Sequence, residues 1–163
     1  MKTEKIVLCA FGAALTFLAT VIIVLPMPAM GYVNFGDSII YLFACILNPL
    51  AAFFVGGVGS ALADIYLGYT QFAIFTLIIK GIEGLLVAYL FKKISKKFRG
   101  VAFVCGAILM IAGYYVTDVI LLQDFVAALP SIQGNLVQGG VCVVFALLAY
   151  QPFVRIASKY KKD

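Results

Sequence analysis

The sequence predicts an all-α, polytopic membrane protein: six transmembrane helices in one domain over residues 1–163, with both termini in the cytoplasm. Three observations predict it. Hydrophobic residues make up 64% of the chain and charged residues 12%, about half the charged share of a soluble domain. Segments 6–36, 38–63, 100–117 and 125–154 carry no charge, and a bilayer core of about 30 Å takes roughly 20 apolar residues per helix. Of the 12 basic residues, all but Lys80 fall into three clusters: Lys2 and Lys5; Lys92, Lys93, Lys96, Lys97 and Arg99; and Arg155, Lys159, Lys161 and Lys162. Short cytoplasmic segments are enriched in Lys and Arg, so all three clusters belong on one side. An even number of crossings must separate each from the next.

The elements follow in order. The first span, about 6–25, stops at Pro26-Met-Pro28, where fixed φ and missing amide hydrogens break a helix. A loop runs to Gly36, after which Asp37 or Ser38 is a candidate N-cap. The second span, about 37–48, is short for a crossing and ends at Asn48-Pro49. The third, 50–67, is rich in small residues and ends at the turn Gly68-Tyr-Thr-Gln71. The fourth covers about 72–91. After the basic loop comes the fifth, about 100–123. An outer connection, 124–133, leads to the sixth, about 134–154. That gives four crossings before Lys92 and six before Arg155, as the charges require.

The net charge of +5 is then a topology signal. No basic patch interleaved with aromatics exists to bind nucleic acid. Cys9, Cys45, Cys105 and Cys142 each lie in an apolar span, without C-x-x-C spacing, and read as small apolar residues. No metal or cofactor is implied. The first apolar run exceeds the 7–15 residues of a signal-peptide core, so it reads as a span rather than a cleaved leader.

The polar residues inside the spans carry the functional reading. Lys80 lies about nine residues below the outer turn, with Glu83 a turn deeper. Asp64 and Asp118 lie near the outer ends of spans three and five. Asn135 and Gln138 open span six, and Asp37 opens span two. Every intramembrane ionisable group is therefore in the outer half or at the centre. Buried charges are costly and face a cavity or one another. One reading is a structural ion-pair network, in which Lys80 meets Glu83 at i, i+3 or Asp64 across the turn. The other is an outward-facing cavity for a polar solute, and the one-sided distribution favours it. Tyr114 shares a helix face with Asp118; Tyr32, Phe35 and Tyr114 are candidates to stack on a ring. Gly81 and Gly84 leave room beside the charged pair. Ala52, Gly56, Ser60 and Asp64 form a four-residue stripe in span three, and Ala10 and Ala14 a similar one in span one. Such small-residue faces let helices pack closely, inside one subunit or against a partner.

The chain resembles the substrate-binding S-components of energy-coupling-factor (ECF) vitamin transporters, in the branch that includes riboflavin, hydroxymethylpyrimidine and pyridoxine-type carriers. The residues that carry the resemblance are Ala10-Phe-Gly-Ala-Ala14, "NFGDSIIYL" from Asn34, "LADIYLG" from Leu62, "IIKGIEGLL" from Ile78 and "NLVQGGV" from Asn135. The resemblance implies a multi-pass protein of the bacterial plasma membrane that binds a vitamin from outside. It implies docking, through Ala10 and Ala14, on a transmembrane T-component driven by two cytoplasmic ATPases. It implies a lid over Pro26–Phe35 and a site drawn from Asn34, Asp37, Asp64, Lys80, Glu83, Tyr114, Asp118, Asn135 and Gln138. The absence of G-x-x-x-x-G-K-[ST] agrees with ATP hydrolysis by other chains. Three cavity carboxylates against one lysine disfavour an anionic vitamin and suit a neutral or weakly basic heterocycle. Rival readings are a membrane enzyme, which lacks His and any nucleophile beside a base; an ion channel, which would need polar lining in the inner half; and a structural assembly subunit without a ligand.

Overall fold

A computed structural model of the chain describes residues 3–27 and 31–159. Lys2, Lys161 and Lys162 of the terminal clusters, and the tip of the first outer loop, lie outside the described residues. Six helices form the body: α1 (Thr3–Ile22), α2 (Gly36–Ala44), α3 (Pro49–Leu67), α4 (Ala73–Lys93), α5 (Gly100–Leu122) and α6 (Leu129–Lys159). The basic loop between α4 and α5 holds one short 3-10 turn, Lys96–Phe98.

Five of the six, all but α2, are long and apolar enough to cross a membrane. At 1.5 Å per residue the nine residues of α2 reach roughly 13–14 Å, under half the hydrocarbon core. It ends at Ala44, four residues before the boundary expected from Asn48-Pro49. A helix this short survives because it is wrapped by protein: Ile40, Tyr41 and Ala44 are wholly buried. Asn48 caps α3 instead, its side chain accepting from the Ala51 amide at 2.8 Å, with Pro49 in the first turn.

The loop between α1 and α2 adds a small hairpin to the helical fold. Two short strands, β1 (Val24–Pro26) and β2 (Tyr32–Asn34), pair antiparallel with Val24 opposite Asn34 and Pro26 opposite Tyr32. Pro26 follows the end of α1 and does not prevent pairing, since a proline at a strand end needs no ladder donor. The start of α2 differs too. Its N-cap position is Phe35, with no side-chain cap, and Asp37 lies within the first turn, bonded elsewhere. The local turn is made by Asn34, whose Oδ1 accepts from the Gly36 amide at 2.9 Å. α6 begins five residues earlier than expected, at Leu129, because Pro130 is tolerated in a first turn.

The small-residue stripe of α3 faces α4, not a partner. A Cβ on Gly56 would come within 2.3 Å of the Lys80 carbonyl oxygen, and one on Gly84 within 2.5 Å of the Ala52 carbonyl oxygen. The two backbones therefore touch, and the Lys80 and Glu83 side chains turn toward Asp37 and Tyr41 of α2. The room at Gly81 is likewise taken, by the Phe53 ring. At the end that carries the basic loop, aromatics fill the core: Tyr41 stacks on Phe103 at 5.5 Å and Phe91 on Phe103 at 5.9 Å, and the Arg99 guanidinium sits 4.5 Å from the Phe91 ring centroid. Polar side chains are left to the other end.

Candidate functional site

The ends of the helices far from the basic loop converge under the hairpin. α1 and α3 contribute their last turns, α4 and α6 their first turns, and α5 its last turns. Two polar layers result.

The deeper layer is a network of ion pairs and hydrogen bonds. Lys80 Nζ donates to Asp37 Oδ1 and lies 3.3 Å from Glu83 Oε2, and neither carboxylate is exposed. The Tyr41 hydroxyl donates to Glu83 Oε1 at 2.7 Å, and Gln138 Nε2 donates to Asp37 Oδ2 at 2.7 Å. Gln138 Oε1 accepts from the Asn34 amide at 2.8 Å, so one carboxamide ties the hairpin to the charged cluster. The i, i+3 pairing of Lys80 with Glu83 is present; the alternative with Asp64 is not. Asp37 takes that place, since the fold brings the start of α2 against the middle of α4.

The outer layer lines a cavity of about 30 Å³, room for about two waters. Tyr32 hangs from β2 and donates to Asp64 Oδ1 at 2.6 Å, with the Tyr69 ring 4.8 Å away. Tyr32 lies outside the spanning helices. Burial first, then the neighbouring Asp64 carboxylate, raises its phenol pKa far above the usual value, so it stays a donor. Tyr114 shares a hydrogen bond with Thr76 at 3.0 Å, and Lys80 Nζ lies 5.4 Å from the Tyr114 ring centroid, within cation–π range. Three buried polar atoms on this wall differ from the rest. Asp64 Oδ2, Asp118 Oδ1 and Asn135 Nδ2 have no hydrogen-bond partner among the described residues, although their residues are 3%, 2% and 3% exposed. Leaving such groups dry and unpaired is costly, and a native fold retains them where something else meets them.

Of the residues expected in the site, Asn34, Asp64, Lys80, Tyr114, Asp118, Asn135 and Gln138 line the cavity. Asp37 and Glu83 stand behind it, joined to it through Lys80 and Gln138. Phe35 does not line it: its ring packs edge-on against Phe145 at 4.8 Å, because the turn at Asn34 directs the next side chain outward. Thr20, Ser60, Thr76, Met27 and Phe72 line the cavity as well and were missed. Ser60 was visible as the residue one turn before Asp64 in the stripe; Thr20 was visible as a hydroxyl one turn after Thr16 in an otherwise apolar helix. Ala10 and Ala14 are exposed on the outer face of α1, while Gly12 and Thr16 turn inward.

Residues 1–155 match the family model described as ECF-type riboflavin transporter, S component. The chain is 46% identical over 98 residues to an uncharacterised protein of Pyrococcus woesei, a match that covers 58% of this chain and spans only 65% of that protein. It is 27% identical over 146 residues to the thiamine precursor transporter HmpT of Lactococcus lactis subsp. cremoris, covering 88% of this chain and 82% of the relative. The chain belongs to the family of ECF-type riboflavin transporter S components.

Proposed function

We propose that the chain takes up a small vitamin or vitamin precursor from the outer side of the cell membrane, holding it in the cavity beneath the hairpin. Release inside is driven by a T-component and two ATPases, and the hairpin acts as the lid. The observation that carries this reading is the set of three buried, unpartnered polar atoms, Asp64 Oδ2, Asp118 Oδ1 and Asn135 Nδ2, on the walls of one cavity. A structural network accounts for most of the deeper layer, where Lys80, Asp37, Glu83 and Gln138 are joined by ion pairs and hydrogen bonds and Glu83 Oε2 has the 3.3 Å ion pair to Lys80 alone. It gives no reason for the outer one.

The substrate is a small neutral or weakly basic heterocycle. Asp64 and Asp118 supply acceptors without a cation of their own, and Lys80 is held by two carboxylates, so an anion has no counter-charge to meet. A single ring is in line with the thiamine precursor named for the Lactococcus relative, and the cavity, with room for about two waters, has to open to admit it. Both termini and the basic loop face the cytoplasm, which places the cavity outside. Ala10 and Ala14, exposed on α1, meet the T-component.

Mass spectrometry of the small molecules extracted from protein purified in mild detergent tests the reading. A stoichiometric heterocycle, such as a hydroxymethylpyrimidine, a pyridoxine or riboflavin, is expected. Protein that carries none, and binds none of the three when they are added, would be a structural subunit.

A further inference from the structure

Most polar groups around the cavity are already spent. Both ends of the Gln138 carboxamide are bonded, to Asn34 and Asp37. Asn34 Oδ1 serves the Gly36 amide, Tyr32 serves Asp64 Oδ1, Tyr114 and Thr76 serve each other, and Lys80 is held by Asp37 and Glu83. Elimination leaves the unpartnered atoms to read the ligand. Two of them are neighbours in the fold. Asp118 lies in the last turns of α5 and Asn135 in the opening turns of α6. The two helices are joined by the short connection 123–128, so both residues sit at the same level of the bundle. Ser131, one turn before Asn135, sets its buried hydroxyl beside the Asp118 carboxyl.

The chemistry of the pair is complementary. An ionised carboxylate only accepts, and the amide nitrogen only donates. A ligand that satisfies both must offer a donor and an acceptor side by side. We propose that Asp118 and Asn135 form a specificity pair for a heterocycle edge that sets an N–H donor beside a ring-nitrogen or carbonyl acceptor, with Asp64 Oδ2 taking a second donor from the facing wall. Asp118 accepts from the N–H, and Asn135 Nδ2 donates to the adjacent acceptor. The inference rests on the ligand-binding reading above and assigns the atoms that choose the ligand. A buried site built to meet a donor rejects the analogue that lacks it, because its own acceptor is then left dry.

A cycle that crosses protein and ligand changes tests this by titration calorimetry in detergent. The probes are 4-amino-5-hydroxymethyl-2-methylpyrimidine and the same compound without its amino group. Wild type is expected to prefer the amino compound by about 10- to 100-fold, the range for a hydrogen bond to a charged group. In Asp118→Ala, or Asp118→Leu should the first fail to fold by circular dichroism, the preference should shrink to within about threefold, chiefly through loss of affinity for the amino compound. Asn135→Ala should weaken both probes and keep the preference, since both retain the ring nitrogen. Should wild type take riboflavin instead, the same cycle runs with riboflavin and its N3-methyl derivative, in which the ring donor is blocked. An undiminished preference in the Asp118 variants overturns the pair while leaving the transport reading in place. Wild type that binds none of the four probes, and no pyridoxine, overturns both.

Discussion

Lys80→Met is the perturbation most tightly determined by the structure. It removes the one ammonium that meets Asp37 and Glu83 among the described residues, and both carboxylates are fully buried. Breaking a buried pair costs about 3–5 kcal/mol, because the survivor is left uncompensated. Here two survivors remain, each with one neutral donor: Gln138 for Asp37 and Tyr41 for Glu83. Those donors offset part of the loss from the second carboxylate, so about 3–5 kcal/mol stands for the whole cluster. At roughly 2–4 °C per kcal/mol for a chain of this size, the unfolding midpoint should fall by about 6–20 °C. The chain has no Trp, so the assay is helical circular dichroism in detergent, or the heat-dependent reaction of a thiol dye with buried Cys142. Adding Asp37→Asn and Glu83→Gln to Lys80→Met removes every charge and keeps acceptors for Gln138 and Tyr41. That triple variant should recover most of the loss, to within about 1–2 kcal/mol of wild type. A single variant as stable as wild type, or a triple variant no better than the single, would refute the claim that a charged network holds the bundle.

Other consequences are independent of that one. Gly56→Leu should lower stability by about 1–3 kcal/mol or more, because its Cβ meets the Lys80 carbonyl oxygen at 2.3 Å; the same melting assay reads it. Ala14→Trp should abolish co-purification with a T-component and leave heterocycle binding and the melting curve unchanged, whereas Gly12→Leu, aimed at Phe43 and Val55, should lower the melting temperature. Equal damage from both would mean that Ala14 is internal packing. Tyr32→Phe removes the 2.6 Å bond to Asp64 and should weaken binding by about tenfold, mostly through a faster off-rate in stopped-flow mixing; an unchanged off-rate would show that this bond does not hold the lid.

Much of the fold was legible because hydrophobic length and lysine placement are local signals. The boundaries of α3 and α5 follow from Asn48-Pro49, Gly68 and the basic loop, and came out within about a residue or two. The hairpin was not legible. Val24 and Val33 are few, and the prolines argued for irregular chain. The pairing becomes favourable only once α2 and α6 stand beneath it, with Gln138 taking the Asn34 amide. The short α2 was suspected from its length, but its burial depends on five longer helices around it.

The site was legible as a set and illegible as a network. A charge or a carboxamide inside an apolar span marks a residue whatever its partner, so Asp64, Lys80, Glu83, Asp118 and Gln138 all stood out. Asp37 to Lys80 is a contact across 43 positions, and no helical spacing encodes it. Asp37 was therefore read as a cap. Phe35 was read as a ring-stacking residue, but beyond the turn at Asn34 its ring packs on Phe145 instead. Hydroxyl residues such as Ser60 and Thr76 escaped because they are common in apolar helices, where they bond the backbone or a neighbouring helix.

Binding stoichiometry and affinity for a single-ring heterocycle, read by titration calorimetry on the wild-type chain alone, tests the central claim most directly. The account predicts one site per chain, and a loss of at least about tenfold in Asp118→Ala with the helical circular dichroism unchanged. Absence of saturable binding to pyrimidine, pyridine and flavin probes alike, by a chain that is folded and monodisperse, would contradict it.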